Sequence, residues 1–504
     1  MSLKRNIAAN YASQLYTTLI GIVLVPVYLD TMGSEAYGLV GFFAMLQAWF
    51  NLLDLGLTPT IARESARFRG GAISALDYRR AYRSLSLIFI SIALLGGSVL
   101  FGLAGTVADH WLKLGHLPTS EVIIALQIMA ASVALRWMGG LYRGVVSGSE
   151  RLVWLSGFNA VIATLRFVAV MGSMWIWGFT LKVFFWHQLA VAGLEVLVLL
   201  WMCHALLPGR REIPQAVGWS LKPIKGMLRF SLSIALTSSV WVLVTQSDKL
   251  LLSGILSLSE FGYFSSAVLV AGGITLLTSP ISGSIMPRMV KLYAEQRNAE
   301  VQRIYCSATQ LVAITAGSAA STMAWCAQPL MFAWTGNAEV ADRTAVILSL
   351  YATGNGLLAI SAFPFYLQYS RGRLRHHLIG NCAMGLLLVP TVLLAASHYG
   401  AVGAGSVWVA INALYLVTWV AYTHSQLQPG LHVKWLRDNV LVVVLPAQVL
   451  GLLSLMIADS GDRLVALVHT LSFALACLAL SIASSSDARQ IIRKFWEDRA
   501  VGRT

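Results

Sequence analysis

The chain alternates between long apolar runs and short polar connections. Fourteen runs approach or exceed the roughly 20 residues that cross a bilayer as an α-helix. They cover about residues 9–29, 37–57, 84–106, 121–146, 153–176, 182–206, 229–252, 261–284, 304–333, 344–369, 377–397, 402–423, 438–457 and 464–484. The longest connection, 59–83, has about 25 residues, too few for a soluble catalytic domain. The pattern predicts an all-α polytopic membrane protein with about 14 transmembrane helices.

A weak internal repeat divides the chain near its middle. Ser34 and Glu35 match Ser259 and Glu260 at an offset of 225, between two apolar runs in each case. Further on, Pro59 and Arg63 match Pro287 and Lys291 at an offset of 228. Since both offsets are close to half of the 504 residues, the repeat indicates a duplicated transporter.

Composition supports a membrane protein and excludes several other classes. Hydrophobic residues make up 57% of the chain and charged residues 12%, with a mean hydropathy of +0.70. All five cysteines lie in apolar runs, which predicts no metal site and no disulfide framework. The first run, which follows Lys4 and Arg5, is too long for a signal peptide and suits a first span.

The placement of lysine and arginine predicts the orientation. With a cytoplasmic N-terminus, 29 of the 36 fall on the inner side, five on the outer side and two within spans. Both termini are therefore expected inside. The basic inner segments, which face anionic lipids, explain the net charge of +14 without nucleic acid. The tail 485–504 could form a helix on the inner surface or a solvated tail.

Three charges near the middle of spans stand out: Arg136, Arg166 and Glu195. Each costs roughly 2.5–3.5 kcal/mol on insertion scales unless it faces other polar groups or water. Other polar residues recur at helical spacing on several spans, among them Gln14, Gln47, Asn51, Asp54, Asn159, Gln188, Thr245 and Asp248. Such stripes predict a polar, water-accessible lumen between two helix bundles.

Each of these residues also has a structural interpretation. Arg166 and Glu195 could neutralise each other, and Arg136 could reach a carbonyl or a headgroup. Asp54 could pair with Arg63 or Arg67, and Asp248 with Lys249. The neutral amides could simply bond across helices.

The functional interpretation assigns Arg136 and Arg166 to an anionic substrate, because a guanidinium keeps its charge and binds phosphate bidentately. Glu195, Asp54 and Asp248 are candidates for coupling transport to H⁺ or Na⁺. The other candidate cavity residues are Asn159, Gln188, Gln47, Asn51, Gln14 and Thr245.

Several motifs resemble the polysaccharide-unit flippases of the Wzx type, in the multidrug/oligosaccharidyl-lipid/polysaccharide exporter superfamily. The second half carries Asp248–Gly254, Glu260–Tyr263 and Pro287. The first half carries Gly33–Gly38, Leu53–Leu57, Ala62–Glu64 and Tyr142–Arg151, followed by Asn159 and Arg166. The order and spacing of these motifs extend to about Gly430.

The resemblance implies two six-helix lobes in a V shape and two further helices. We expect an N-lobe at 1–207, a C-lobe at 208–428, the last two spans at 429–484 and a cytoplasmic tail at 485–504. It also implies a non-enzymatic flippase that moves undecaprenyl-diphosphate-linked sugar units across the bacterial cytoplasmic membrane. Polysaccharide polymerases and glycosyltransferases are its expected partners, and no cofactor is expected apart from a coupling ion.

Three rival functions stay open. A drug or cation antiporter of the same superfamily would favour a cavity rich in carboxylates and usually twelve spans. A lipid II flippase shares both the fourteen spans and a cationic cavity. A membrane-embedded glycan polymerase or ligase would need catalytic residues on a large outer loop, where this chain offers only about 107–120.

Overall fold

The described residues of the chain are mainly helical. The computed structural model describes residues 3–209, 213, 217, 218, 222–372, 374–454, 461–486 and 489. Contacts divide the chain into two compact units, Met1–Gly262 and Tyr263–Thr504. The division into lobes at 207 and 208 rests on the resemblance and stays a prediction.

The first unit begins with a long helix that is kinked in its middle. Its helices are α1 (Leu3–Phe50), α2 (Leu57–Arg69), α3 (Ala75–Gly102), α4 (Ala104–Thr106), α5 (Thr119–Gly148), α6 (Leu152–Thr164), α7 (Val170–Trp177), α8 (Leu181–Leu206) and α9 (Lys222–Ile255). A π-helical turn, Leu165–Ala169, joins α6 to α7. Helix α5 is central, because it packs against α2, α3 and α8.

The second unit also has one helix, α13 (Ala338–Ser361), that packs against three others. Its helices are α10 (Leu258–Ala294, which begins in the first unit), α11 (Asn298–Trp325), α12 (Ala327–Thr335), α13 (Ala338–Ser361), α14 (Phe363–Ser370), α15 (Arg375–Leu414), α16 (Val420–Leu427), α17 (Leu431–Trp435), α18 (Val442–Ser454) and α19 (Arg463–Ser484). Helix α13 packs against α11, α12 and α15, and α18 and α19 pack against α11.

The structure has fewer long apolar helices than the fourteen predicted spans, and kinks in the longest helices explain part of the difference. Ten stretches of the described residues are long and apolar enough to cross a membrane. Two of them hold two spans each, because Gly33 (φ 82°) divides α1 and Gly400 (φ 57°) divides α15. Glycine adopts these positive φ values without the steric cost that a Cβ imposes. Together with α9 and the α11–α12 pair, the helices are compatible with fourteen spans.

The longest predicted connection contains a helix that the sequence analysis missed. Residues 59–83 were expected to form a loop, but most of α2 and the start of α3 lie there. Helix α2 buries one face, including Leu57 and Ile61, against α5. Gly144 and Gly148 of α5 permit this contact, since a Cβ at either position would clash with α2. Small residues four apart commonly let helices approach closely in membranes.

Candidate functional site

Two cavities in the first unit bring most of the predicted site residues together. The first has a volume of about 460 Å³ and is lined by Gln47, Phe50, Asn51, Asp54, Thr58, Pro59, Val133, Arg136, Trp137, Gly140, Arg143, Arg166 and Glu195. The second has a volume of about 470 Å³ and is lined by Asn10, Ser13, Gln14, Thr17, Thr18, Arg143, Asn159, Ile162, Ala163, Arg166 and Glu195. Arg143, Arg166 and Glu195 belong to both, so the two cavities adjoin along one shared wall.

Arg136 is held at the first cavity by two glutamine side chains. It donates to the Oε1 of Gln47 at 2.9 Å and to the Oε1 of Gln188 at 2.8 Å. Its guanidinium also lies 5.1 Å from the centroid of the Phe43 ring, which favours a cation. These neutral partners orient the guanidinium without cancelling its charge. Of the alternatives predicted for Arg136, the contact with a carbonyl is present, because its Nη2 also donates to the backbone carbonyl of Gln188 at 3.5 Å.

Arg166 lies in the π-helical turn, and side chains from neighbouring helices fix that turn. His187 contacts the carbonyl oxygen of Leu165 at 2.9 Å. Gln188 donates to the carbonyl of Arg166 itself at 2.8 Å, and the Tyr28 hydroxyl donates to the carbonyl of Phe167 at 2.7 Å. Three successive carbonyls are therefore tied to α8 and α1. Such turns recur at functional sites because they redirect side chains, here that of Arg166.

The guanidinium of Arg166 has little to hold it in place. Among the described residues its one hydrogen bond runs from Nη2 to the Oε1 of Gln47, at 3.5 Å. The Nε atoms of Arg166 and Arg136 are both buried, and neither has a hydrogen-bond partner in the described part of the chain. Buried donors usually find a partner, so each of these has a cost of about 1–3 kcal/mol that a ligand could offset.

The carboxylate of Glu195 pairs with Arg143 rather than with Arg166. The Nη2 of Arg143 lies 2.5 Å from the Oε1 of Glu195, and its Nη1 donates to Asn159. The interpretation in which Arg166 and Glu195 neutralise each other was therefore wrong. Helix α5 continues to Gly148, so Arg143 lies within the helix, seven residues beyond Arg136.

The charges lining the two cavities have a positive excess. Three arginines (136, 143 and 166) face two carboxylates (Asp54 and Glu195), a formal excess of one. Because one arginine is paired with Glu195, the other two remain as the cations that an anion would meet. Charges in such a partly buried site interact more strongly than they do in bulk water.

Asp54 lines the first cavity but serves as a local cap. It accepts hydrogen bonds from the backbone N–H of Thr58 at 3.1 Å and from its hydroxyl at 2.6 Å. The expected alternative of a pair with Arg67 was wrong, because Arg67 pairs with Glu64 at 3.0 Å. Asn51, the neighbouring candidate, also lines this cavity.

The remaining candidates divide into two groups. Gln14 and Asn159 line the second cavity. Thr245 and Asp248 line neither of the two cavities: Thr245 donates to the Trp241 carbonyl of its own helix, and Asp248 accepts from the backbone N–H of Lys249. The cavities belong to the first unit alone, so the predicted lumen between two bundles stays a prediction.

Two residues that shape the site were not among the candidate site residues. The sequence places Arg143 on the same helix face as Arg136, seven residues further on, but this position was not assigned to the site. Tyr28 had no signal in the sequence: its role depends on the π-helical turn, which does not show in the hydrophobic pattern.

Comparisons with known proteins agree with this fold. The chain resembles the lipid II flippase MurJ in an inward closed conformation, with a TM-score of 0.71 and 12% identity over 97% of this chain and 100% of that one. It also resembles the inward-facing conformation of a multidrug resistance MATE family transporter of the MOP superfamily, with a TM-score of 0.68 and 12% identity over 82% of this chain and 94% of that one. The chain therefore has the same fold as these two proteins.

The sequence matches identify the family. The profile of the family described as "Polysaccharide biosynthesis protein" matches residues 3–293, more than half of the chain. A Shigella flexneri protein named "Putative O-antigen transporter" is 20% identical over 424 residues, which are 82% of this chain and 97% of that protein. The chain belongs to the polysaccharide biosynthesis protein family. The expected resemblance to Wzx-type flippases is confirmed, and the apolar helices of the described residues support a multi-pass membrane protein.

Proposed function

We propose that the protein flips undecaprenyl-diphosphate-linked oligosaccharide units across the bacterial cytoplasmic membrane, by alternating access, for surface polysaccharide assembly. The family and the name of the Shigella relative support a polysaccharide precursor as substrate. Such a precursor carries a diphosphate between its lipid and its sugars, so its transporter needs an anion site inside the membrane.

The observation that carries the proposal is the state of Arg166. Its guanidinium lies on the wall shared by both cavities, yet it holds only one long hydrogen bond among the described residues. Arg136 lies in the same cavity, and Gln47 accepts a bond from both arginines. A diphosphate could accept from both guanidinium groups, since each presents donors in the fork geometry that phosphate oxygens match.

Coupling to an ion gradient belongs to the same proposal. Glu195 is buried, and its Oε2 has no hydrogen-bond partner in the described part of the chain, although its Oε1 pairs with Arg143. A proton or Na⁺ at Oε2 would weaken that pair and release Arg143 toward a substrate anion. Asp54 and Asp248 are weaker candidates, because Asp54 caps α2 and Asp248 lines neither cavity.

The proposal also includes the orientation of the protein in the membrane, its lipid contacts and its protein partners. The excess of lysine and arginine on one side supports two cytoplasmic termini and contact with anionic lipids of the inner leaflet. A polymerase or glycosyltransferases of the polysaccharide pathway are the proposed protein partners.

The test is a deletion strain complemented with variants of the protein. We expect the deletion to remove surface polysaccharide and to trap lipid-linked units on the inner leaflet. Arg166→Ala should reproduce this defect at wild-type protein levels in the membrane, whereas Arg166→Lys should retain part of the activity. Arg297→Ala is the matched control, because Arg297 is exposed, paired with Glu295 and Glu300, and far from the cavities in sequence.

Two outcomes would contradict the proposal. Units that accumulate on the outer leaflet of the deletion strain would indicate a polymerase or ligase. Normal flipping by Arg166→Ala would remove the arginine site from the mechanism.

A further inference from the structure

The first half of α1 presents a stripe of neutral polar side chains to the second cavity. The stripe begins at Asn10. It continues with Gln14, Thr17 and Thr18, which follow Asn10 by four, seven and eight residues and so share one helix face with it. Asn159 of α6 completes this wall. Ser13 ties the two helices together, because its hydroxyl donates to the carbonyl of Ser156 at 2.7 Å.

The amides of this stripe are available to a ligand. Asn10 and Gln14 are exposed on a helix long and apolar enough to span a membrane, and no described residue hydrogen-bonds to either side chain. Polar groups within a span avoid lipid and face a cavity or another polar group. Each amide offers two donors and one acceptor, and each threonine hydroxyl offers one donor and accepts as well. That combination suits hydroxyl and acetamido groups.

The two cavities differ in charge along their length. Beyond the shared wall, the first cavity adds Arg136 and Asp54, whereas the second adds only neutral residues. On the shared wall, Glu195 is occupied by Arg143. The charged side chains of the second cavity therefore all lie on the wall that it shares with the first cavity, and the rest of its lining is neutral.

This order matches the covalent order of a lipid-linked sugar, in which the first sugar is bonded directly to the diphosphate. We propose that the second cavity is a subsite for that first sugar, and that it selects a neutral sugar with hydroxyl or acetamido groups through Asn10, Gln14, Thr17 and Asn159. The inference rests on the proposed function and adds the site that reads the sugar. A volume of about 470 Å³ lies within the roughly 300–1,000 Å³ range of small-molecule sites.

The test compares two probes on the purified full-length protein in nanodiscs. The probes are undecaprenyl diphosphate and undecaprenyl diphosphate bearing one N-acetylglucosamine, and binding is measured by native mass spectrometry or fluorescence titration. The variants are Gln14→Leu and Asn10→Leu. Ala12→Leu is the matched control, because it places the same side chain on the same span at a residue that lines neither cavity.

We expect the wild type to bind the sugar-bearing lipid about tenfold more tightly than the bare diphosphate lipid. Gln14→Leu and Asn10→Leu should lose most of this difference and bind the bare lipid unchanged, while Ala12→Leu should resemble the wild type. Arg166→Ala should weaken the binding of both probes.

The outcomes separate the subsite from the function. Equal wild-type affinity for both probes, or unchanged sugar preference in both leucine variants, would overturn the subsite and leave the proposed flippase standing. A wild type that binds neither probe better than undecaprenol, the same lipid without the diphosphate, would overturn the proposed function itself. A loss of affinity for both probes in Gln14→Leu, with an unchanged melting temperature, would assign the stripe to the diphosphate and also overturn the sugar subsite.

Discussion

The hydroxyl groups of Ser34 and Ser259 lie 2.5 Å apart and form a hydrogen bond between the two positions that the internal repeat matches. Two close backbone contacts flank this hydrogen bond. Gly38 packs against the carbonyl of Leu258, and Gly262 packs against the carbonyl of Ser34. The start of α10 therefore packs tightly against the second half of α1.

Replacement of Gly38 or Gly262 by alanine should destabilise this contact. A Cβ at either position would clash with a backbone carbonyl, which cannot move as a flexible side chain does. Overpacking of this kind costs about 1–3 kcal/mol, so we expect a clear fall in the melting temperature of the purified protein. Gly272→Ala is the control, because it lies on the same helix as Gly262 and nothing lies within 4 Å of its Cβ position. Equal melting temperatures for all three variants would contradict the close packing.

A disulfide between Ser34→Cys and Ser259→Cys should stop transport. The two hydroxyls are close enough for a disulfide to form with little backbone movement. If transport requires the N-terminal ends of these two helical segments to separate, the oxidised double variant should trap sugar units on the inner leaflet, and reduction should restore export. Each single cysteine variant controls for the five native cysteines. Wild-type export by the fully cross-linked protein would show that this contact stays closed throughout the cycle.

Removal of one member of the Arg143–Glu195 pair should destabilise the protein more than removal of both. Glu195→Gln leaves a partly buried arginine without its counter-charge, at a cost of about 1–3 kcal/mol. Arg143→Gln leaves a buried carboxylate, which is the worse case because Glu195 is only 5% exposed. We expect the double variant to recover part of the loss, with a coupling of about 0.5–3 kcal/mol in a double-mutant cycle from unfolding measurements. Strict additivity would show that the pair adds no stability.

Tyr28→Phe should reduce transport although Tyr28 lines neither cavity. The variant removes the donor that holds the Phe167 carbonyl, so the turn bearing Arg166 loses one of its three ties. We expect a several-fold loss of flipping and a loss of stability of about 1 kcal/mol. Tyr16→Phe is the control, because it removes an exposed hydrogen bond to Thr164 from the same helix. Equal activity of the two variants would indicate that the turn keeps its shape without Tyr28.

Asp54→Ala should lower stability and Asp54→Asn should not. The carboxylate accepts both the N–H and the hydroxyl of Thr58, at the start of α2, and asparagine can replace it as an acceptor. We expect a loss of about 0.5–2 kcal/mol for the alanine variant, which is typical of a lost helix cap. Transport at wild-type levels in Asp54→Asn would confirm the structural role. A transport defect in that variant, at normal stability, would favour Asp54 as the coupling group.

Hydrophobic patterning predicted most of the fold but failed at α2. The described parts of the apolar runs are mainly helical because the bilayer requires the backbone to satisfy its hydrogen bonds internally, so the run lengths indicate the spans. Helix α2 escaped because it lies outside the apolar runs and is stabilised by contact with Gly144 and Gly148 of α5. The sequence of residues 59–83 alone does not show that α2 will pack against Gly144 and Gly148.

The sequence by itself determined the class of the protein and the residue types that a polar cavity needs. Arg136, Arg166, Gln47 and Gln188 could be named in advance, because charge and amide groups are costly in lipid and must meet one another or water. Only the tertiary structure decided which of them pair. Glu195 meets Arg143 and not Arg166 because the end of α5 and the π-helical turn set the directions of these side chains. Pairing depends on distances of a few ångströms between helices, and helical periodicity fixes only the face of each one.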